Sequence, residues 1–257
     1  MTPASAVDLA TLVAHLDAYL DTAAGRDYGP NGLQVEGKRE IARLVTGVSA
    51  SEELLGRAAE RGADAVLVHH GLFWEGSPRV ITGPMRRKVA TLLHREISLL
   101  AYHLPLDRHP EVGNNAVAAR ALGLVELAPF ALHEGLPTGF RGRFPEPVPA
   151  AELVARCRGL FRREPLAFLA GPDPLSTVGI VSGGAQREVH QAIAAGLDAY
   201  VTGEATEWVM ATARENRIHY LAVGHHAGER LGVMALGEHL ARRFGIEVEF
   251  VDVPNPV

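Results

Sequence analysis

The sequence predicts an α/β fold, two similar α/β domains with mainly parallel sheets, and three observations lead there. Short apolar runs alternate with segments of helical periodicity, the pattern of strands covered on both faces by helices. Three blocks also recur in the same order in each half. Val45-Thr46-Gly47-Val48-Ser49 matches Val178-Gly179-Ile180-Val181-Ser182, and Gly62-Ala63-Asp64-Ala65 matches Gly196-Leu197-Asp198-Ala199. Ile97-Ser98-Leu99-Leu100-Ala101 matches Ile218-His219-Tyr220-Leu221-Ala222. Chance produces one such match; three in order indicate two copies of one strand–helix–strand unit. Third, the doublets His69-His70 and His225-His226 each follow an apolar run. In parallel sheets ligands collect beyond the carboxyl ends of strands.

Taken in order, Leu9, Leu12, Val13, Leu16 and Leu20 carry the three-and-four spacing of an amphipathic helix over residues 7–24. Asp27 to Gly32 stacks Gly, Pro and Asn into a turn. Leu33 to Val35 and Leu44 to Ser49 read as strands, and Ser51 as the cap of a helix with Glu52 and Glu53 in its first turn. Ala63 to Val68 is a buried strand that delivers His69 and His70; Arg86 to Arg95 is helical; Ile97 to Tyr102 is a strand running into Asp107. Gly113-Asn114-Asn115 opens a helix through Ala121. Residues 124–150 gather Pro and Gly, so the domain junction is placed near 126, giving domains 1–126 and 127–257, with an edge strand allowed at 139–145. Ala151 to Leu160 is helical, Val178 to Ser182, Ala199 to Thr202 and Ile218 to Val223 are strands, and Glu247 to Val253 closes the chain with strict alternation.

Composition narrows the function. At 257 residues, 47% hydrophobic and 21% charged, the chain is an ordinary globular protein with room for two modest domains. A net charge of −5 without a long basic run argues against a nucleic-acid partner. Cys157 is the only cysteine, which excludes a disulfide framework and a thiolate zinc site. The first twenty residues place Asp8, His15 and Asp17 among Ala and Leu, unlike a signal peptide, and no apolar run has the length of a membrane span. A cytoplasmic protein with no membrane partner is the expectation.

The segment Gly224-His225-His226-Ala227-Gly228-Glu229-Arg230 reads as a tight turn opening an amphipathic helix, which puts His225 and Glu229 one turn apart on one face. With His69, His70 and Asp107 they make five candidate ligands at strand ends, drawn from both halves. Imidazole and carboxylate without thiolate suit zinc, iron, manganese or nickel. Five donors exceed the need of one tetrahedral ion; with a bridging carboxylate they serve two ions about 3.5–4 Å apart. Glu229 is the expected bridge because a carboxylate has two oxygens and an imidazole one free lone pair; Asp107 is the competing bridge. His103 and His109 can supply supporting hydrogen bonds, and Glu204, which falls where His70 falls in the other half, can line the site with His226. The competing reading is that these are polar residues satisfying loops at strand ends. Ser182-Gly183-Gly184-Ala185 can be a phosphate-binding turn or only a turn, and Trp74 and Tyr102 can stack on a base or pack in the core.

Several blocks resemble one family. Leu67-Val68-His69-His70-Gly71-Leu72-Phe73-Trp74, Tyr102-His103-Leu104-Pro105-Leu106-Asp107 with Gly113-Asn114-Asn115, and Gly224 to Arg230 resemble the GTP cyclohydrolase 1 type 2 homologue family, the NGG-interacting-factor-three-like dinuclear metal proteins. Asp27-Tyr28 through Val35, Val201-Thr202-Gly203-Glu204 and Val253-Pro254-Asn255-Pro256 extend the resemblance over nearly the whole chain, in the short form without an inserted central domain. The resemblance implies two divalent ions (zinc, iron or manganese) per subunit in a cleft between the domains, held by the same five residues, and a toroidal homohexamer. It implies a metal-dependent hydrolase of a small nucleotide-like or phosphorylated molecule. A metal carrier or regulatory protein without turnover is the alternative.

Overall fold

The computed structural model describes residues 5–257. The chain divides into two compact units, residues 5–106 with Val233–Pro254, and Asp107–Gly232 with Asn255–Val257. The junction expected near residue 126 falls inside the second unit, within the strand Val125–His133. No described helix is long and apolar enough to cross a membrane.

The first unit carries a five-stranded sheet in the order Glu247–Phe250, Arg43–Ser49, Ala65–His70, Ser98–Ala101, Gly32–Val35. Neighbours run parallel except Gly32–Val35 at the edge. Val45, Val66, Val68 and Leu99 bury one face against Leu54, Leu55 and Ala58 of the helix Glu52–Glu60 and Leu92 of the helix Gly83–Arg95. Ser51 starts the first of these helices by accepting from the Leu54 amide at 3.0 Å. Its close approach needs Gly47, where a Cβ would stand 2.6 Å from Leu54. Successive strand residues face opposite ways, so Thr46 looks to the other face. There the helix His225–Phe244 packs through Gly237, whose Cβ would meet Val248 at 3.0 Å and Thr46 at 3.1 Å.

The second unit holds a six-stranded sheet in the order Val125–His133, Leu136–Val148, Leu175–Val181, Ala199–Thr202, His219–Ala222, Leu166–Phe168. Its three middle strands are parallel, and antiparallel strands flank them on both sides. The Pro- and Gly-rich stretch in which the junction was expected is thus a long hairpin, and the edge strand allowed at 139–145 lies within its second strand. Glu134 and Gly135 both take positive φ, 48° and 84°, the two-residue turn whose twist suits a hairpin. Pro129 is tolerated because its strand is the outermost of the sheet.

The internal repeat is physical. Leu44, Ala65 and Ser98 lie side by side in the first sheet, as Val178, Ala199 and His219 do in the second. Asp64 Oδ2 accepts the amides of Ala42 and Arg43 at 3.0 and 2.9 Å; Asp198 Oδ2 accepts those of Ser176 and Thr177, both at 2.8 Å. Gly62 and Gly196 share φ +65° in the turn before each aspartate. The sequence match of the first block is one residue out: Val178 corresponds to Leu44, not to Val45. Such a slip exchanges the faces of a strand, and apolar runs buried on both faces do not reveal it. Replacing Asp64 or Asp198 with Ala leaves two amides unpaired at the same place in each repeat. Each change is expected to cost about 1–3 kcal/mol, read by denaturant unfolding; an unchanged midpoint for either would remove the aspartate from the account of the repeat.

Candidate metal centre

In the first unit, strand Ala65–His70 ends on two imidazoles. His69 is fully buried and its Nδ1 lies 3.0 Å from the Tyr102 carbonyl oxygen. A carbonyl only accepts, so Nδ1 carries the proton and the neutral ring offers Nε2 as its lone pair. His70 Nδ1 meets Ser49 Oγ at 3.0 Å. His103, expected to support the ligands from behind, joins them: a ligand atom from each of His69, His70 and His103 lies within 4.8 Å of the other two.

Asp27 sets the third ring. Its Oδ1 accepts from His103 Nδ1 at 2.6 Å, and its Oδ2 accepts from the Leu104 amide and Asn31 Nδ2, both at 2.9 Å. Asn31 Oδ1 in turn accepts the His103 amide at 2.8 Å. Burial works to raise the Asp27 carboxyl, but the His103 ring, Asn31 and the Leu104 N–H outweigh it and hold the group below the usual carboxylate range. As a carboxylate Asp27 only accepts, so His103 too presents Nε2.

In the second unit, His225 opens the helix His225–Phe244 directly after the strand His219–Ala222 and a positive-φ Gly224. Its Nε2 stands 3.2 Å from Glu229 Oε1, one turn along, and its Nδ1 stands 2.6 Å from Glu204 Oε1. Burial alone would lower the His225 pKa, but the carboxylates of Glu229 and Glu204 reverse that and lift it to about 9. A Cβ at Gly183 would fall 2.5 Å from Glu229 Oε1 and 3.4 Å from His225 Nε2, so the bare backbone there keeps both donor atoms accessible.

Asp107, 5% exposed, belongs to the same unit. Its Oδ1 accepts from Asn114 Nδ2 at 2.8 Å and from Ser182 Oγ at 3.0 Å, and Ser182 directly precedes Gly183. Asn115, also fully buried, binds the Ser182 amide through Oδ1 at 2.7 Å and donates to the Asp107 carbonyl at 3.3 Å. Asp107, His225 and Glu229 are therefore gathered around one turn, Ser182-Gly183, which the asparagine pair anchors. Nitrogen and oxygen donors of this kind fit a divalent transition ion. The thiol of Cys157 takes no part: it is buried in the apolar core and its pKa is pushed up to about 12.

A family profile described as Duf34/NIF3 (NGG1p interacting factor 3) matches residues 7–256. The chain belongs to the Duf34/NIF3 family. A Pseudomonas aeruginosa relative called GTP cyclohydrolase 1 type 2 homolog is 51% identical over 98% of this chain and 99% of its own length. A solved structure described as protein ybgI, unknown function, superposes with a TM-score of 0.92 at 42% identity, covering 98% of this chain and all of the other. TTHA1606 from Thermus thermophilus gives 0.89 at 40% identity, over 98% of this chain and 100% of that one.

Within this Duf34/NIF3 chain the remaining sequence candidates take clear places. Glu204 grips His225. His109 Nδ1 accepts the amides of Glu111 and Val112, each at 3.2 Å, and so closes its own loop; His226 is buried, with its amide on the Val257 carbonyl. Tyr102 packs in the core with its hydroxyl on Asp17. The turn Ser182 to Ala185 leads into a six-residue helix, Val189–Ala194, through a short 3-10 turn, and Glu229 faces it. Sequence reading took Asp27, Asn31, Asn114 and Asn115 for turn and helix-start residues; buried asparagines at a helix start were the available signal.

In metal-free protein the His225 ring is expected to titrate near 9 by NMR, and to fall toward 6.5 in Glu204→Gln and Glu229→Gln variants. The folded value lies above the unfolded one, so the pairing stabilises metal-free protein fully below about 6.5 and is lost as pH rises through about 9. An ordinary value near 6.5 in the unmodified chain would contradict the double-carboxylate clamp.

Proposed function

We propose that the chain holds two divalent ions on His69, His70, Asp107, His225 and Glu229, and hydrolyses a small nucleotide-like or phosphorylated substrate. When bound, such ions acidify water and stabilise developing negative charge. The observation that carries the reading is the donor geometry: His225 and Glu229 face one another at 3.2 Å across a glycine cradle, and the far nitrogen of His225 is fixed by Glu204. His69 and His103 are fixed in the same way, through Nδ1, so that Nε2 is the nitrogen they offer. Hydrolysis also agrees with the cyclohydrolase name carried by the 51% identical relative.

Glu229 is the proposed bridge. Asp107 Oδ1 is engaged by Asn114 and Ser182, whereas the contact between Glu229 Oε1 and the His225 ring is one that an ion replaces. Elemental analysis of reconstituted protein is expected to give two ions per chain, most of both lost in Glu229→Gln and mainly one in His225→Ala. A full complement in Glu229→Gln would move the bridge elsewhere. Hydrolysis of phosphoester or nucleotide substrates should vanish on chelation and return with zinc, manganese or iron; turnover by verified metal-free protein would remove the ions from the reaction. The same reading includes self-association, a hexamer, and a monomer by sedimentation at micromolar concentration would exclude it.

A further inference from the structure

We propose that a cavity in the first unit, walled by Trp74, binds a planar aromatic anion and presents it to His70 and His103; this rests on the metal-centre reading above. The cavity has a volume of about 550 Å³, inside the range of about 300–1,000 Å³ found for small-molecule sites. Phe73, Trp74, Val80, Ile81 and Met85 form its apolar walls. Val80 and Ile81 are each 57% exposed, and Phe73 is 37% exposed, so this apolar surface stands in water until something covers it.

Trp74 decides what that something is. Its Nε1–H donates to the Gly71 carbonyl at 3.1 Å, which holds the indole in place. Its ring centroid lies 5.1 Å from that of His103, nearly perpendicular at 85°, and 5.7 Å from that of His70. Asp27, which orients His103, also lines the cavity. Cavity and histidine group thus share two walls. A flat ring is the shape that gains most from a fixed indole and a neighbouring phenyl ring.

The charges around the cavity select the sign. Asp27 is engaged by His103, and Glu75 is paired with Arg26 at 3.3 Å. Arg79 lines the same cavity and forms no ion pair among the described residues. The charge left to be matched is therefore positive, and its counterpart is a phosphate or carboxylate on the ligand.

The test uses Trp208→Phe protein, in which Trp74 is the sole tryptophan of the two in the chain. GMP and pterin-6-carboxylate are titrated against Trp74 emission, in metal-loaded and in chelated protein, with guanosine and ribose 5-phosphate as controls. The proposal expects a saturable change with at least one aromatic anion, tenfold weaker binding or worse for guanosine, and none for ribose 5-phosphate. Ile81→Glu and Arg79→Glu should each weaken the aromatic anion at least tenfold with metal content unchanged by elemental analysis. No saturable change with either aromatic anion, or equal affinity in both variants, would overturn it. The rival occupant is a second copy of this chain: if Ile81→Glu abolishes self-association in sedimentation while ligand affinity stays the same, the surface is a subunit contact and the proposal fails. Metal content is read on the same samples, so protein that binds the anion but no metal sinks the hydrolase reading and leaves the cavity standing.

Discussion

A neutral imidazole has one lone pair to give, and the histidine group of each unit depends on which nitrogen carries it. The protein decides by gripping Nδ1. The Tyr102 carbonyl does so for His69, the Asp27 carboxylate for His103 and the Glu204 carboxylate for His225. Tyr102 and Glu204 stand just past the carboxyl ends of parallel strands, where sheet register sets the rings they hold, whereas Asp27 comes from the turn before the antiparallel strand Gly32–Val35. Glu204 sits five residues beyond Ala199, as His70 sits five beyond Ala65, and those two alanines are equivalent in the repeat. Equivalent strand ends therefore carry a candidate ligand, His70, in one unit and, in the other, the carboxylate that orients His225.

Burying such groups is costly unless they are paired. Asp107, Asn114 and Asn115 are among the most buried polar residues of the second unit, and each is hydrogen-bonded to another of them or to Ser182 and its neighbours. Asn114 Oδ1 also accepts the amide of Gly232, where a Cβ would stand 2.5 Å away. The asparagines thus link the short helix carrying Asp107, the turn carrying Gly183 and the helix carrying Glu229. Donors drawn from two helices around one turn stay in register because one polar network touches all three elements.

Much of this was legible in the residues. Period and apolar runs located the strands Arg43–Ser49, Ala65–His70, Ser98–Ala101, Ala199–Thr202 and His219–Ala222 to within a few residues, because buried parallel strands are short, apolar and bounded by glycine turns. The His225–Glu229 pair followed from helical spacing alone. The hairpin over residues 125–148 was hidden by its prolines, of which only Pro129 lies in the outer strand; a count of turn formers does not distinguish such a hairpin from irregular chain. The grips of Asp27 and Asn31 on His103 span more than seventy residues of sequence. Local pattern carries no trace of a contact set by tertiary packing, and Asp27 looked only like a turn residue. The last strand, Glu247–Phe250, showed its alternation, yet nothing in it named Arg43–Ser49 as its partner.

The central claim is that these oriented donors hold a pair of ions. Anomalous scattering from crystals reconstituted with zinc, recorded on both sides of the metal edge, tests it most directly. The account predicts two peaks per chain about 3.5–4 Å apart, one of them in bonding contact with both His225 Nε2 and Glu229. A single peak, or peaks that leave His225 bound only to its carboxylates, would contradict it.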